Sequence, residues 1–252
     1  MPLRDTATQP FHDLLSAFGL LSRLPMPRTE RHRAQAAWAW PLVGLGIGSL
    51  AALAALAAIR LGLPAGIAAA LAMALAALTT GALHEDGLAD TFDGLFGGWT
   101  TERRLEIMKD SHIGSYGTLA LIFGSLIRWQ ALTHLIDLGR IEGIIAVAAL
   151  SRAPMAVLMT ALPNARRSGL SQHVGKPGWV AAGLAVFLAI GIAVSLLGAL
   201  ALWLGGIAAV IAGGVGLVAW RRIGGQTGDI LGASQQLTEL GALCGMIALL
   251  AA

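Results

Sequence analysis
Apolar residues run along this chain in stretches long enough to cross a bilayer, which takes about 20 residues at helical rise. They lie near 38–61, 64–83, 117–136, 141–162 and 237–252, the last extending back to about 229, and the run 179–220 is long enough for two. The pattern predicts an all-α polytopic integral membrane helix bundle with about seven transmembrane helices. Residues 11–24, "FHDLLSAFGLLSRL", follow a different rhythm. Phe11, Leu14, Leu15, Phe18 and Leu21 recur at helical spacing with His12, Asp13, Ser16 and Arg23 opposite them, so this segment is expected to be an amphipathic helix lying in the membrane interface. No clean apolar core with a small-residue cleavage site follows the first arginines, which argues against a cleaved signal peptide.

Composition strengthens that reading. The chain is 56% hydrophobic and 12% charged, outside the range of ordinary soluble domains, and one membrane-embedded domain, 1–252, is the expectation. Its 33 glycines and abundant alanines suit helices whose backbones approach closely. Cys244 is the only cysteine, so no intramolecular disulfide can form, and a thiol in an apolar run reads as packed. The net charge of +3 comes without a basic run or interleaved aromatics, which argues against nucleic acid.

Charge placement then sets an orientation. With the N-terminus inside, thirteen of the seventeen lysines and arginines fall in inner segments (Arg4, Arg23, Arg28, Arg31, Arg33, Arg103, Arg104, Lys109, Arg166, Arg167, Lys176, Arg221 and Arg222), and only Arg60 and Arg140 in outer loops. Cytoplasmic loops collect cations, so 84–116, 163–178 and 221–229 are expected on the cytoplasmic side. Arg128, Arg152 and Glu239 sit inside spans, where ionisable groups are paired or functional.

The segment "HEDGLADTFDGLFGG", 84–98, concentrates acid in an apolar chain. On a helix that advances about 100° per residue, Asp86, Asp90 and Asp93 fall within roughly 60° of one another. Like charges so placed repel, and beside a membrane they invite a cation. All-oxygen ligands favour magnesium or manganese over zinc, and Gly87, Gly94, Gly97 and Gly98 would let a bulky ligand approach the backbone. The plain alternative is a solvated acidic loop. Glu85 is a further candidate ligand. A zinc-protease HExxH motif fails because position 88 is Leu88, and His84 is either a hydrogen-bonded helix-end residue or a general base.

Three nearby segments carry phosphate-binding chemistry or, more plainly, topology signals. In "RRLEIMKDSHIGSYG", 103–117, Arg104 and Lys109 are candidate phosphate clamps, and Asp110, Ser111 and Gly114 lie in the turn whose backbone N–H groups would assist. In "PNARRSGLSQHVGKPG", 163–178, Arg166 is the candidate, with Ser168-Gly169 and Gly175 as anion-binding backbone. In "GGQTGDILGA", 224–233, Thr227 is placed to cap the last helix, and Asp229 is either a fourth carboxylate of the metal group or itself a helix cap.

These stretches, with "LLSRLPMP" at 20–27, fall in one order and together resemble the cobalamin synthase family, the adenosylcobinamide-GDP ribazoletransferases. The resemblance implies a Mg²⁺-dependent transfer in the inner membrane, with the site facing the cytoplasm. The cobinamide-phosphate moiety of adenosylcobinamide-GDP would pass to alpha-ribazole or its 5′-phosphate, releasing GMP. It implies that Asp86, Asp90 and Asp93, with Asp229, hold the metal. Arg104, Lys109 and Arg166 would neutralise the leaving phosphate, and His84 or an acid would take the acceptor proton. The implied partners are the two substrates and the lipid bilayer, and a homo-oligomer is compatible with the sequence. Two other readings use similar parts. A CDP-alcohol phosphotransferase would need an arginine that "DGLADTFDG" lacks, and a transporter would place its acids near the midplane.

Overall fold
The computed structural model describes residues 9–27 and 33–251; Arg4, Arg28 and Arg31 of the cation count lie outside the described residues. Helix α1 (Gln9–Leu21) leads through a 3₁₀ turn (Ala34–Ala39) into α2 (Trp40–Arg60), followed by α3 (Ala65–Thr80), α4 (Leu83–Gly97), α5 (Thr101–Ile107), α6 (Ser115–Asp137), α7 (Glu142–Leu150), α8 (Ala153–Ala161), α9 (Leu170–Val174), α10 (Trp179–Leu197), α11 (Leu200–Ile223) and α12 (Gly228–Leu250). Among the described residues the only bridge of β type joins Asn164 to Gln226.

The all-α membrane bundle is as the apolar runs predict, but the count of spans differs. Five helical stretches are long and apolar enough to cross a membrane, or six if the bent pair of α3 and α4 is counted as one. Helix α12 is not among them, because Gln235, Gln236 and Glu239 interrupt its apolar run, and all three are buried inside the bundle. The 141–162 run is one span broken at Ser151–Arg152, with Pro154 in the first turn of α8, where its missing N–H costs nothing.

Between α3 and α4 the chain turns by 87°. Gly81 and Ala82 both adopt left-handed backbone, φ 66° and 54°. Glycine takes that conformation freely, whereas alanine pays roughly 1 kcal/mol. Ala82 is the only described non-glycine residue with positive φ, so strain is stored at the entry to the acidic helix.

The core is built from small residues. On α10, Ala181, Ala182, Ala185, Ala189 and Ala193 are buried while Val180, Leu184 and Phe187 face outward. Lipid is as apolar as leucine, so large side chains gain little by leaving it, and close backbone packing holds the helices. Cys244 departs from expectation: it lies exposed on α12. On α1 the predicted polar face turns toward protein, since Asp13 and Ser16 are buried. Asp13 accepts from Trp38 Nε1 at 3.2 Å and pairs with Arg33, and Phe11 is outward.

One end of the bundle is polar. There α5 docks on the end of α11, where Thr101 Oγ1 and Arg104 Nη1 donate to the Arg222 carbonyl at 3.2 and 3.1 Å. The exposed Trp99, Trp179 and Trp220 ring this end at the close of α4, the start of α10 and the close of α11, as tryptophans do at a membrane interface. Helix α4 lies across it against α12. They approach most closely where Gly87 meets Gly232: a Cβ at Gly87 would stand 2.9 Å from the Asp229 carbonyl oxygen and 3.2 Å from Gly232 Cα. Two bare backbones meeting bring Asp86 and Asp229 to one place.

Candidate functional site
Two loops distant in sequence are laced together before any charged group is placed. Gln226 N donates to the Pro163 carbonyl at 2.8 Å, and Ala165 N donates to the Gln226 carbonyl at 2.9 Å. Asn164 Oδ1 accepts from Gln226 Nε2 and from Ser171 Oγ, both at 2.9 Å. Gly225 is required here, because any Cβ would fall on the Pro163 carbonyl. This lacing carries Arg166 to Asp229, with which it forms an ion pair. Thr227 caps α12 as expected, accepting from Ile230 N at 3.3 Å, and its hydroxyl also donates to Asp229 Oδ2 at 3.1 Å. With Thr227 as the cap, the Asp229 side chain is released from that duty.

A cleft of about 120 Å³ opens between these loops, α1 and α4. Asp86, Arg166, Ser168, Thr227, Asp229 and His84 supply its polar wall; Leu21, Leu83, Met155 and Leu231 supply an apolar one. His84 is buried and its Nε2 has no hydrogen-bond partner among the described residues. One turn along α4, outside the spans, Asp90 is half-buried. Burial, then the charges of Asp229 and Asp86, push its carboxyl up to about 7 against the opposing pull of Arg166. Asp86 and Asp229, on the cleft wall, and Asp90, beyond the residues that line it, therefore repel one another. Carboxylate oxygens are the hard donors that a divalent cation takes, and here substrate oxygens and water would have to complete its shell. Among the described residues no group of three or more His, Cys, Asp or Glu side chains is arranged to hold a metal unaided.

Other sequence candidates are placed elsewhere. Asp93 shares the helical face of Asp86 and Asp90, but it is buried, and its two oxygens accept from Gly114 N at 2.7 Å and Gly117 N at 2.9 Å. It caps α6 from outside, and Gly114 is needed because a Cβ there would sit 2.5 Å from Asp93 Oδ1. Glu85 points away from the cleft, into the bundle, toward Arg128 and Gln236. The guanidinium of Arg104 is engaged by the end of α11. Lys109, Asp110 and Ser111 are exposed, Asp110 bonds His112, and none of these, nor Gly114, lines the cleft.

The placement of Asp93 gives a test. In Asp93→Asn an amide NH₂ would face one of the two backbone N–H groups, so the thermal midpoint in detergent should fall by the equivalent of about 1–3 kcal/mol, with activity per folded molecule retained. A stable but inactive Asp93→Asn protein would instead put Asp93 in the chemistry.

The profile of the cobalamin-5-phosphate synthase family matches residues 13–247, nearly the whole chain and both sides of the cleft. The chain belongs to that family. Among its relatives, the adenosylcobinamide-GDP ribazoletransferase of Azorhizobium caulinodans is 41% identical over 250 residues, covering 93% of this chain and 95% of the relative. The protein of the same name from Bradyrhizobium diazoefficiens is 40% identical over 249 residues, covering 95% of each, and that from Mesorhizobium japonicum is 41% identical over 235 residues, covering 92% and 91%. No solved structure matches the chain. Membership of the cobalamin-5-phosphate synthase family favours neither the CDP-alcohol phosphotransferase nor the transporter reading. What the sequence did not single out is the lacing of Asn164, Gln226 and Ser171, whose only signal is amide and hydroxyl residues in short loops.

Proposed function
We propose that this chain is an adenosylcobinamide-GDP ribazoletransferase, joining alpha-ribazole or its 5′-phosphate to the cobinamide phosphate and releasing GMP. The observation that carries this reading is the junction of Asp86 and Asp229 with Arg166 at one cleft, with Asp90 beside it and within reach of their charges, in a member of the family. In the reaction the acceptor hydroxyl attacks the phosphorus bonded to cobinamide. A new O–P bond forms, the P–O bond to GMP breaks, and the hydroxyl proton leaves. Asp86, Asp90 and Asp229 would hold Mg²⁺, which when bound supplies charge neutralisation of the diphosphate. Arg166 faces the leaving phosphate as a fixed cation. Its bond to Asp229 holds the guanidinium in place before substrate arrives. His84, which lines the cleft and whose buried Nε2 has no partner among the described residues, would receive the proton. The apolar wall formed by Leu21, Leu83 and Met155 lowers the local dielectric, strengthening each of these interactions.

The decisive experiment supplies purified protein with activated cobinamide, alpha-ribazole and Mg²⁺ and measures GMP together with the completed corrinoid. Absence of both under any divalent metal would refute the reading.

We place the cleft on the cytoplasmic side of the inner membrane, on the cation bias of the loops. In a Cys244→Ala background, Glu102→Cys, at an exposed position of α5, should react with an impermeant maleimide in inverted vesicles and not in intact cells. The opposite labelling pattern would invert the topology.

A further inference from the structure
On the side of α4 away from the cleft, three helices share a charged joint inside the apolar bundle. Arg128 of α6 donates through Nη1 to Glu85 Oε1 at 3.3 Å and through Nη2 to Glu239 Oε1 at 2.7 Å. Gln236 Nε2 reaches the same Glu85 oxygen at 3.1 Å. Gln235 Nε2 ties Glu239 at 2.6 Å to Ser151 Oγ at 2.9 Å, at the break between α7 and α8. The side chains of Arg128 and Glu239 are only 12% and 8% exposed. Charges so enclosed are costly unless paired, and stability alone would be served as well by apolar residues. The joint therefore calls for another reason.

The Gly87–Gly232 crossing supplies one. The bare backbones of α4 and α12 meet there with almost no clearance, so a small slip of one helix against the other would displace Asp86 from Asp229, and a charged tie beside the crossing resists that slip. Glu85 is the residue before Asp86, and Glu239 lies on the same helix as Asp229. One guanidinium fork thus spans the two helices that carry the acids of the cleft, and a fork with fixed geometry sets distance and direction together.

We propose that Arg128 is a positioning residue for the transfer: by holding Glu85 and Glu239 in one fork, it sets the register of α4 against α12 and with it the placement of Asp86 and Asp90 relative to Asp229. This rests on the transferase reading of the cleft. Arg128 touches no substrate, and Glu239 lies about 15 Å of helix beyond Asp229.

The test compares Arg128→Lys, Arg128→Gln and Glu239→Gln in detergent. It measures kcat, KM for each substrate, and the folded fraction from size-exclusion and thermal unfolding. Glu239→Gln keeps the size of the side chain and leaves Arg128 its pair with Glu85. A loss of register should lower its kcat about tenfold or more, because small misplacements of reacting groups cost that much, with each KM within about twofold. Arg128→Lys should retain more kcat than Arg128→Gln. Native kcat per folded molecule in Glu239→Gln and Arg128→Lys overturns the proposal, as does a loss that appears in the folded fraction alone. If neither Arg128 variant folds, Glu239→Gln decides by itself. An inactive native protein instead refutes the transferase reading, so the two failures are distinct.

Discussion

Asp86→Asn and Asp90→Asn should each lower turnover by at least about a hundredfold while the protein remains folded. Asp86 is exposed and among the described residues forms no ion pair that its loss would strand, and its charge repels Asp90 and Asp229, so its replacement should not lower the thermal midpoint. Asp90 should go further. Its carboxyl is pushed up to about 7 by burial and by Asp229 and Asp86, so the folded state holds that proton more tightly than the unfolded chain does. Linkage then requires stability to fall as pH rises from the ordinary carboxylate range, near 4, through about 7. Without divalent metal, the native protein should lose thermal midpoint between about pH 4 and pH 7 relative to Asp90→Asn, and Mg²⁺ should shrink that difference. Parallel pH curves for the two proteins, or native turnover in either variant, would leave these carboxylates a solvated acidic face. A residue that is costly to the fold and needed for the reaction is the usual sign of a site under functional constraint.

Arg166 and Asp229 should move the apparent Mg²⁺ affinity in opposite directions. Their ion pair sits at the cleft mouth with side chains 15% and 21% exposed, so each charge strongly feels the other. Asp229→Asn removes a donor and a negative charge, and the Mg²⁺ midpoint of activity should rise by roughly tenfold. Arg166→Gln removes the cation that competes with the metal for the same carboxylate, so that midpoint should fall. Turnover should nonetheless drop by about a hundredfold or more, since the fixed positive charge facing the leaving phosphate is gone. Opposite shifts require both residues to share the metal's field. A helix cap predicts neither shift, because Asn caps nearly as well as Asp and Thr227 already caps α12. Unchanged midpoints in both variants would remove the pair from the metal site.

The sequence by itself determined the class of the protein and most of its polar end. Apolar runs about 20 residues long must be helical where no water can satisfy the backbone, so the bundle followed from pattern alone. The spacing of Asp86, Asp90 and Asp93 put them on one helical face, because helical period is a local property, and the loop motifs carried the resemblance that the family match bears out. Only the tertiary structure decided which of those residues meet. Asp93 and Asp86 share a face, yet Asp93 is consumed by the N-terminus of α6, since that helix begins where the α4 face ends. Glu85 and Asp86 are adjacent in the chain and point into different chambers, because one step along a helix turns a side chain by about 100°. Arg104 and Arg166 have the same chemistry in sequence. One closes the end of α11 and the other reaches Asp229, because backbone pairing of the 163–165 and 226 segments is a long-range contact that no local spacing encodes. The approach of α4 to α12 through Gly87 and Gly232 is of the same kind: glycine in a sequence permits close contact, and only the packed bundle says with what.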